Sequence, residues 1–221
     1  MNDLTRLAMP TAAAAHALLQ GRRSVRAYRP ACPPDDVIDR VFASAAAAPS
    51  AHNRQPWRYL VLRNAALKVR LAEAMGARLA ADRRADGDAE EAVERDVARS
   101  FARITGAPVV ILVALTMAEM DRYPDPARAH AEYLMAVQGT AMATQNLLLA
   151  AHAEGLGACW MCAPLFCAAA VREALPVPAD WEPQGLVTLG WPANAGRPKR
   201  RKALSELVMF ADGPAGQMQR K

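Results

Sequence analysis

The stretch Pro49-Ser50-Ala51-His52-Asn53-Arg54-Gln55-Pro56-Trp57 decides how the chain is read, together with Gly21-Arg22-Arg23-Ser24-Val25-Arg26 upstream of it. In the earlier stretch, guanidinium forks match phosphate oxygens, and the Ser24 hydroxyl and a turn backbone add further donors. In the later one, Ser50, Asn53 and Gln55 offer the donors and acceptors that the edge of a polar heteroaromatic ring needs. The flanking prolines stiffen the loop, and Trp57 opens an apolar strand that ties it to the core. Arg-Arg-Ser-Val-Arg alone is also a common solvated turn. The ordered pair of motifs is what points to an anionic, ring-bearing ligand.

Working outward, 221 residues with 52% hydrophobic content can close one core, and no linker divides the chain. A single domain over residues 1–221 is expected, with 1–10 and 203–221 as extended tails. The net charge is +5, with a pI near 9.3. The basic residues form two bunches, Arg22 to Arg29 and Arg197 to Lys202, with few aromatics beside them for base stacking. That pattern fits two ends of a chain meeting on one anionic small molecule, and no nucleic-acid partner is expected. Cys32, Cys159, Cys162 and Cys167 lack the density of a disulfide scaffold, so a reducing cytoplasm is the expected setting. Met1 to Gln20 carries Asp3 and lacks a leucine-rich run, so a signal peptide is not expected, and no segment reads as a membrane span.

Local signals give alternating elements. Thr11 caps a helix ending at Gly21, and Pro33-Pro34-Asp35-Asp36 starts a second helix to Ala48. Strands are expected at Trp57 to Leu62, Val109 to Leu115, Ala158 to Met161 and Gln184 to Leu189. Helices are expected from Asn64 through Ala81, from Ala89 to Thr105 and near Ala168 to Leu175, with Asp86-Gly87-Asp88 as an interruption. A long helix from Arg128 to Glu154 stops at Gly155 and is apolar nearly all round. Such a helix is either the centre of the domain or is completed by a second copy of the chain.

His130-Ala131-Glu132, followed by Cys159-Trp160-Met161-Cys162, has the residue types of a zinc-dependent nucleobase deaminase. Geometry opposes it. A helix rising ~1.5 Å per residue carries His130 more than ~30 Å from Gly155, whereas zinc ligands converge within about 2.3 Å of one ion. Ala158 also stands where that signature has proline, and His152-Ala153-Glu154 repeats the tripeptide too near the cysteines. A redox dithiol at Cys159 and Cys162 is opposed by strand periodicity, which puts the two side chains on opposite faces. Buried, unreactive thiols are expected there.

The paired motifs resemble those of the nitroreductase family. The resemblance implies an α+β fold in which helices surround a central, mainly antiparallel sheet, assembled as an intertwined homodimer. It implies an enzyme that binds FMN and takes hydride from NADH or NADPH for a small-molecule acceptor such as a nitroaromatic or quinone, with no catalytic triad. Carried over by position, Arg22, Arg23, Ser24 and Arg26 contact the phosphate, ribityl chain and pyrimidine edge, and Ser50 approaches the ring from the partner subunit. Asn53 and Gln55 are the loop's polar groups, and His52 is either a substrate-side group or a plain loop histidine. Gly157 and Met161 lie in the stretch whose backbone follows the ring, with glycine permitting close approach. Arg197, or Lys199, is the late basic residue that closes on the phosphate.

Leu71 to Gly76, Arg84 to Gly87, Leu165-Phe166-Cys167 and Pro178 to Pro183 add a closer likeness. They resemble the C-terminal domain of the bifunctional actinobacterial enzyme of deazaflavin coenzyme biosynthesis, an FMN-dependent reductase of a dehydro precursor joined to a glutamate ligase. No ligase half is expected within these 221 residues. That likeness implies a deazaflavin precursor as acceptor, or a reduced deazaflavin as donor, with Asp82 as a contact. Oxidative breakdown of FMN itself, as in the flavin destructase, is a further outcome within the family.

Overall fold

The computed structural model describes residues 10–196 and 200–210. Helix α1 (Ala12–Gly21) starts where the Thr11 hydroxyl accepts the Ala14 N–H. Helix α2 (Asp35–Ala46) carries Asp35 and Asp36 in its first turn, at the positive end of the helix dipole. It stops short of the expected Ala48, because Ala48 is drawn into a buried cluster with Trp57 and Ala143. After strand β1 (Trp57–Leu62), helix α3 (Ala65–Ala85) is capped by Asn64 and runs past the expected Ala81. The added turn contains Asp82, which pairs with Arg78 at 2.8 Å across one helical turn. Gly87, at φ 82°, then turns the chain into α4 (Glu90–Thr105).

Strand β2 (Val109–Leu115) leads to α5 (Pro126–Ala153), where Asp125 caps the first turn and Gly155, at φ 75°, follows the last. Strand β3 (Gly157–Met161), helix α6 (Ala168–Ala174) and strand β4 (Glu182–Gly190) complete the sheet. Short 3₁₀ turns occupy Ala51–Asn53, Ala163–Phe166 and Leu204–Glu206. The last of these interrupts the stretch from 203 onward that was expected to be extended.

The sheet order is β1-β2-β4-β3, antiparallel throughout. Every residue of β2 is buried, so it reads as a continuous apolar run, and its alternate side chains feed two cores. Val109, Ile111 and Val113 pack with Val41 of α2 and Leu147 of α5. Val110 and Leu112 pack with Leu71 of α3, Ile104 of α4 and Val171 of α6. Helices therefore cover both faces, and the expected α+β arrangement is what forms.

Helix α5 buries Ala136, Gly139, Ala143, Leu147 and Ala151 along one stripe, while Leu134 and Met142 stay 43% and 41% exposed on another. It is therefore covered on one side only. No described helix is long and apolar enough to cross a membrane.

Trp160 of β3 and Gly185 of β4 fit together closely. A methyl group built on Gly185 would lie 2.2 Å from the indole Cη2 of Trp160, so the indole occupies that space. Gly185→Ala is predicted to displace Trp160 and lower stability by about 1–3 kcal/mol, measured as a lower midpoint with altered tryptophan emission. An unchanged midpoint and spectrum would contradict this packing.

Candidate active site

The segment after α1 is fastened to the free edge of β3. Ser24 forms a parallel bridge with Ala158, and the Val25 N–H donates to the Ala158 carbonyl at 3.0 Å. Buried Val25 lies against Gly157, where a built methyl group would come within 2.8 Å of the valine Cβ. The smallness of Gly157 admits Val25 and Pro192. The Tyr28 hydroxyl sits 2.6 Å from the Val25 carbonyl and 2.7 Å from the Thr188 hydroxyl, joining the segment to β4.

The chain beyond β4 returns along the same segment. Arg29 donates its N–H to Trp191, and Ala193 donates to Ala27. Gly196, at φ 72°, ends this return; a methyl group built on it would lie 3.4 Å from the Arg23 Cβ and from the Ser24 carbonyl oxygen. Arg197 and Lys199 lie outside the described residues.

The arginines of the motif part company. Arg23 turns back, and its Nη1 donates to the carbonyls of Gln20, Gly21 and Arg22, capping the end of α1. This engages a guanidinium expected to hold ligand. Arg22 and Ser24 line a pocket of about 370 Å³ with Thr144, Gln145 and Leu148 of α5 and with Trp160. Among the described residues, neither the Arg22 guanidinium nor the Ser24 hydroxyl has a hydrogen-bond partner. Arg26 lines a second pocket, of about 350 Å³, on which Trp160 also borders. The Met161 side chain packs toward the core formed with α3, α4 and α6, so the residue of β3 beside Arg22 is Trp160.

The sequence reading passed over Trp160, Thr144 and Gln145. Trp160 stood in the quoted stretch, and strand alternation relative to Met161 was the signal that could have selected it. Thr144 and Gln145 had no local signal.

The loop 50–55 is held in strained backbone. His52, Asn53 and Gln55 have φ of 49°, 55° and 50°, the positive-φ residues other than glycine among those described. The Ser50 hydroxyl accepts the Gln55 N–H at 3.0 Å, and the Gln55 amide donates to the Asn53 carbonyl at 3.3 Å. Arg54 binds Asp121 at 2.6 Å, and the Asp121 N–H donates to buried Glu132. His52 is exposed, with Nδ1 at 3.6 Å from Asp121. Ser50 packs on Gly139, across α5 from exposed Ala141 and Gln145 of the Arg22 pocket. Within one chain, then, the loop does not line the pocket that holds Arg22 and Ser24.

Asp82 lines a separate pocket of about 300 Å³ with Met75, Leu79 and Phe166. Burial pushes the Cys159 thiol above its usual range, opposed by the nearby charges of Arg26, Arg103 and Arg22. Cys162 is exposed, correcting the expectation of two buried thiols, and the Trp160 indole N–H points at its sulfur from 2.9 Å. His130 is exposed near the start of α5, Cys159 is buried beyond its far end, and the Glu132 carboxylate serves Asp121. Among the described residues no group of three His, Cys, Asp or Glu is placed to share an ion, so the deaminase ligands do not meet.

Residues 19–191, well over half of the chain, match the family described as the Nitroreductase family. The chain belongs to the nitroreductase family. A Thermus thermophilus protein named NADH dehydrogenase is 29% identical over 213 residues, covering 86% of this nitroreductase and 92% of that protein. A Methanothermobacter thermautotrophicus relative, provisionally named NADH dehydrogenase/NAD(P)H nitroreductase, is 28% identical over 178 residues, 80% of this chain and 76% of that one. The solved FMN-dependent nitroreductase NfnB of Mycobacterium smegmatis, in complex with NADPH, superimposes with a TM-score of 0.71. It is 26% identical, with 91% of this chain and 100% of NfnB covered.

The strained loop gives a stability signature. Gln55→Gly relieves the positive φ and is predicted to raise stability by about 1 kcal/mol, whereas Ser50→Ala removes the Gln55 acceptor and lowers it by about 1 kcal/mol. Chemical denaturation of the two variants measures both; a loss in both would show that the backbone of this nitroreductase is relaxed at Gln55.

Proposed function

We propose that this nitroreductase is a homodimeric flavoenzyme that binds FMN and carries hydride from NADH or NADPH to a small conjugated acceptor. The observation that carries this reading is the pairing of Arg22 and Ser24, donors without partners among the described residues, in a pocket walled by the Trp160 indole. A charged fork and a hydroxyl at one end with an aromatic wall at the other match a phosphorylated ring system. The names of the relatives and the FMN dependence and NADPH complex of NfnB support the choice of cofactor and donor.

In this reading Arg22 and Ser24 hold the phosphate and the Trp160 side bounds the ring, while Thr144 and Gln145 present a hydroxyl and an amide from α5. Arg197 or Lys199 adds charge, supported by the approach of Gly196 to Ser24. The bound flavin supplies the hydride-carrying ring, so the protein's work is binding, orientation and exclusion of water. Ser50, Asn53 and Gln55 reach the ring from the partner subunit, supported by their separation from the Arg22 pocket in one chain. The exposed Leu134 and Met142 of α5 supply apolar surface for that second copy.

The acceptors we propose are nitroaromatics, quinones or a deazaflavin precursor. For the last of these, His52 and Asp82 are the substrate-side candidates, and a reduced deazaflavin is the corresponding alternative donor. The free thiols fit work in a reducing cytoplasm.

Purified protein should be yellow, release FMN on denaturation, and bleach anaerobically with NADH or NADPH. Arg22→Ala should weaken FMN binding at least about tenfold, a loss of about 1.4 kcal/mol or more. Arg23→Ala should keep the cofactor and melt earlier. A colourless protein that takes up no FMN, or an Arg22→Ala variant that holds it as tightly as the parent, would overturn the reading.

A further inference from the structure

Asp121 stands as a fixed post beside the strained loop 50–55. The residue before it, Met120, is buried with Leu115 of β2 and Ala136 of α5. The Met120 N–H donates to the Met117 carbonyl, the Ala118 N–H to the Thr116 hydroxyl, and the Asp121 N–H to the Glu132 carboxylate at 3.1 Å. Glu132, from the tripeptide first read against zinc, is 3% exposed and among the described residues pairs with no cation. A buried carboxylate needs hydrogen-bond donors, and this backbone N–H is one. The backbone that carries Asp121 is thus held at both β2 and α5.

Its carboxylate reaches the loop at the two residues that flank Asn53. One oxygen takes the Arg54 guanidinium at 2.6 Å, and the other lies 3.6 Å from His52 Nδ1, a charged contact when the imidazole is protonated. Arg54 is drawn toward its own chain, its Nε buried without a partner among the described residues. Ser50 and Pro56 rest on Gly139 of α5, which seats the two ends of the loop, and the Thr116 N–H donates to the Pro56 carbonyl. Bonds from Asn53 and Arg54 to the carbonyls of Ser50 and Ala51, and from Gln55 to the Ser50 hydroxyl, close the turn on itself. They do not aim it. Asp121 ties its middle to the body of the chain, and three non-glycine residues at positive φ favour relaxation once that tie is cut. We propose that Asp121 is a positioning residue for the flavin loop: by holding Arg54, with His52 beside it, it fixes the direction in which Asn53 and Gln55 are presented and so sets the FMN affinity of the site the loop completes. What the loop touches rests on the flavin reading above. That Asp121 holds the loop does not.

Two measurements test this, amide hydrogen exchange across residues 50–55 of the purified protein and fluorescence titration with FMN. Asp121→Asn, which keeps the shape and drops the charge, should speed exchange in the loop about tenfold or more and leave the amides of β2 unchanged. It should weaken FMN binding about tenfold, with part of the loss recovered in Asp121→Glu. Arg54→Gln should reproduce both effects from the other side of the pair, and the double variant should be no worse than either alone. Because Asp121 acts through the loop, Asp121→Asn should cost little further affinity in a Gln55→Ala background but about tenfold in an Arg22→Ala background. Unchanged loop exchange in both Asp121→Asn and Arg54→Gln overturns the proposal, and so does unchanged FMN affinity in both. Equal losses in the two backgrounds would show a general structural role and overturn it too. A parent protein that takes up no FMN would refute the flavoenzyme reading, and the exchange data alone would then decide whether Asp121 holds the loop.

Discussion

The contact on which the site depends is Val25 against Gly157. The arginine segment has no regular structure of its own, and it is held at the edge of β3 by the bridge from Ser24 to Ala158 and by the valine side chain sunk where a residue larger than glycine has no room. Tyr28 then ties the segment to β4 through Val25 and Thr188, and the returning segment from Trp191 to Gly196 runs along it. Release that contact and Arg22, Ser24 and Arg26 lose their fixed positions relative to Trp160. A binding site made of long, mobile guanidiniums becomes specific only when their backbone is immobile, and the burial of Val25 provides that.

Much of this was legible in the sequence because it follows from local rules. Thr11, Asn64 and Asp125 mark helix starts through their own side chains, and the four strands follow from apolar runs bounded by turn residues. The positions that local rules could not place are those decided by tertiary contact. Nothing in Arg22-Arg23-Ser24 tells which guanidinium bends back to cap α1, since that depends on where the helix ends relative to β3. Met161 and Trp160 are adjacent, and the choice between them turns on which face of β3 meets α5. At Gly157 the close approach within the chain is that of Val25 and Pro192.

The second constraint is strain. Residues 52, 53 and 55 hold positive φ without being glycine, at a cost of order 1–3 kcal/mol each. The Ser50 hydroxyl inside the loop and the Arg54–Asp121 pair beyond it keep that conformation in place. Strain maintained by so many contacts presents the side chains of Asn53 and Gln55 outward, away from the core of their own chain. Together with an α5 that keeps Leu134 and Met142 uncovered, it fits the proposal that the loop completes a site on a second protomer.

That division of labour is the central claim, and complementation between defective protomers tests it most directly. Arg22→Ala and a loop variant such as Gln55→Ala, each impaired in FMN binding alone, are co-expressed with different tags and the mixed dimer is isolated. If arginine segment and loop come from opposite protomers, one of the two sites in the mixed dimer contains neither substitution, and FMN is recovered at half the occupancy of the parent dimer. If both come from the same chain, every site keeps one defect, and no recovery of FMN would contradict the account.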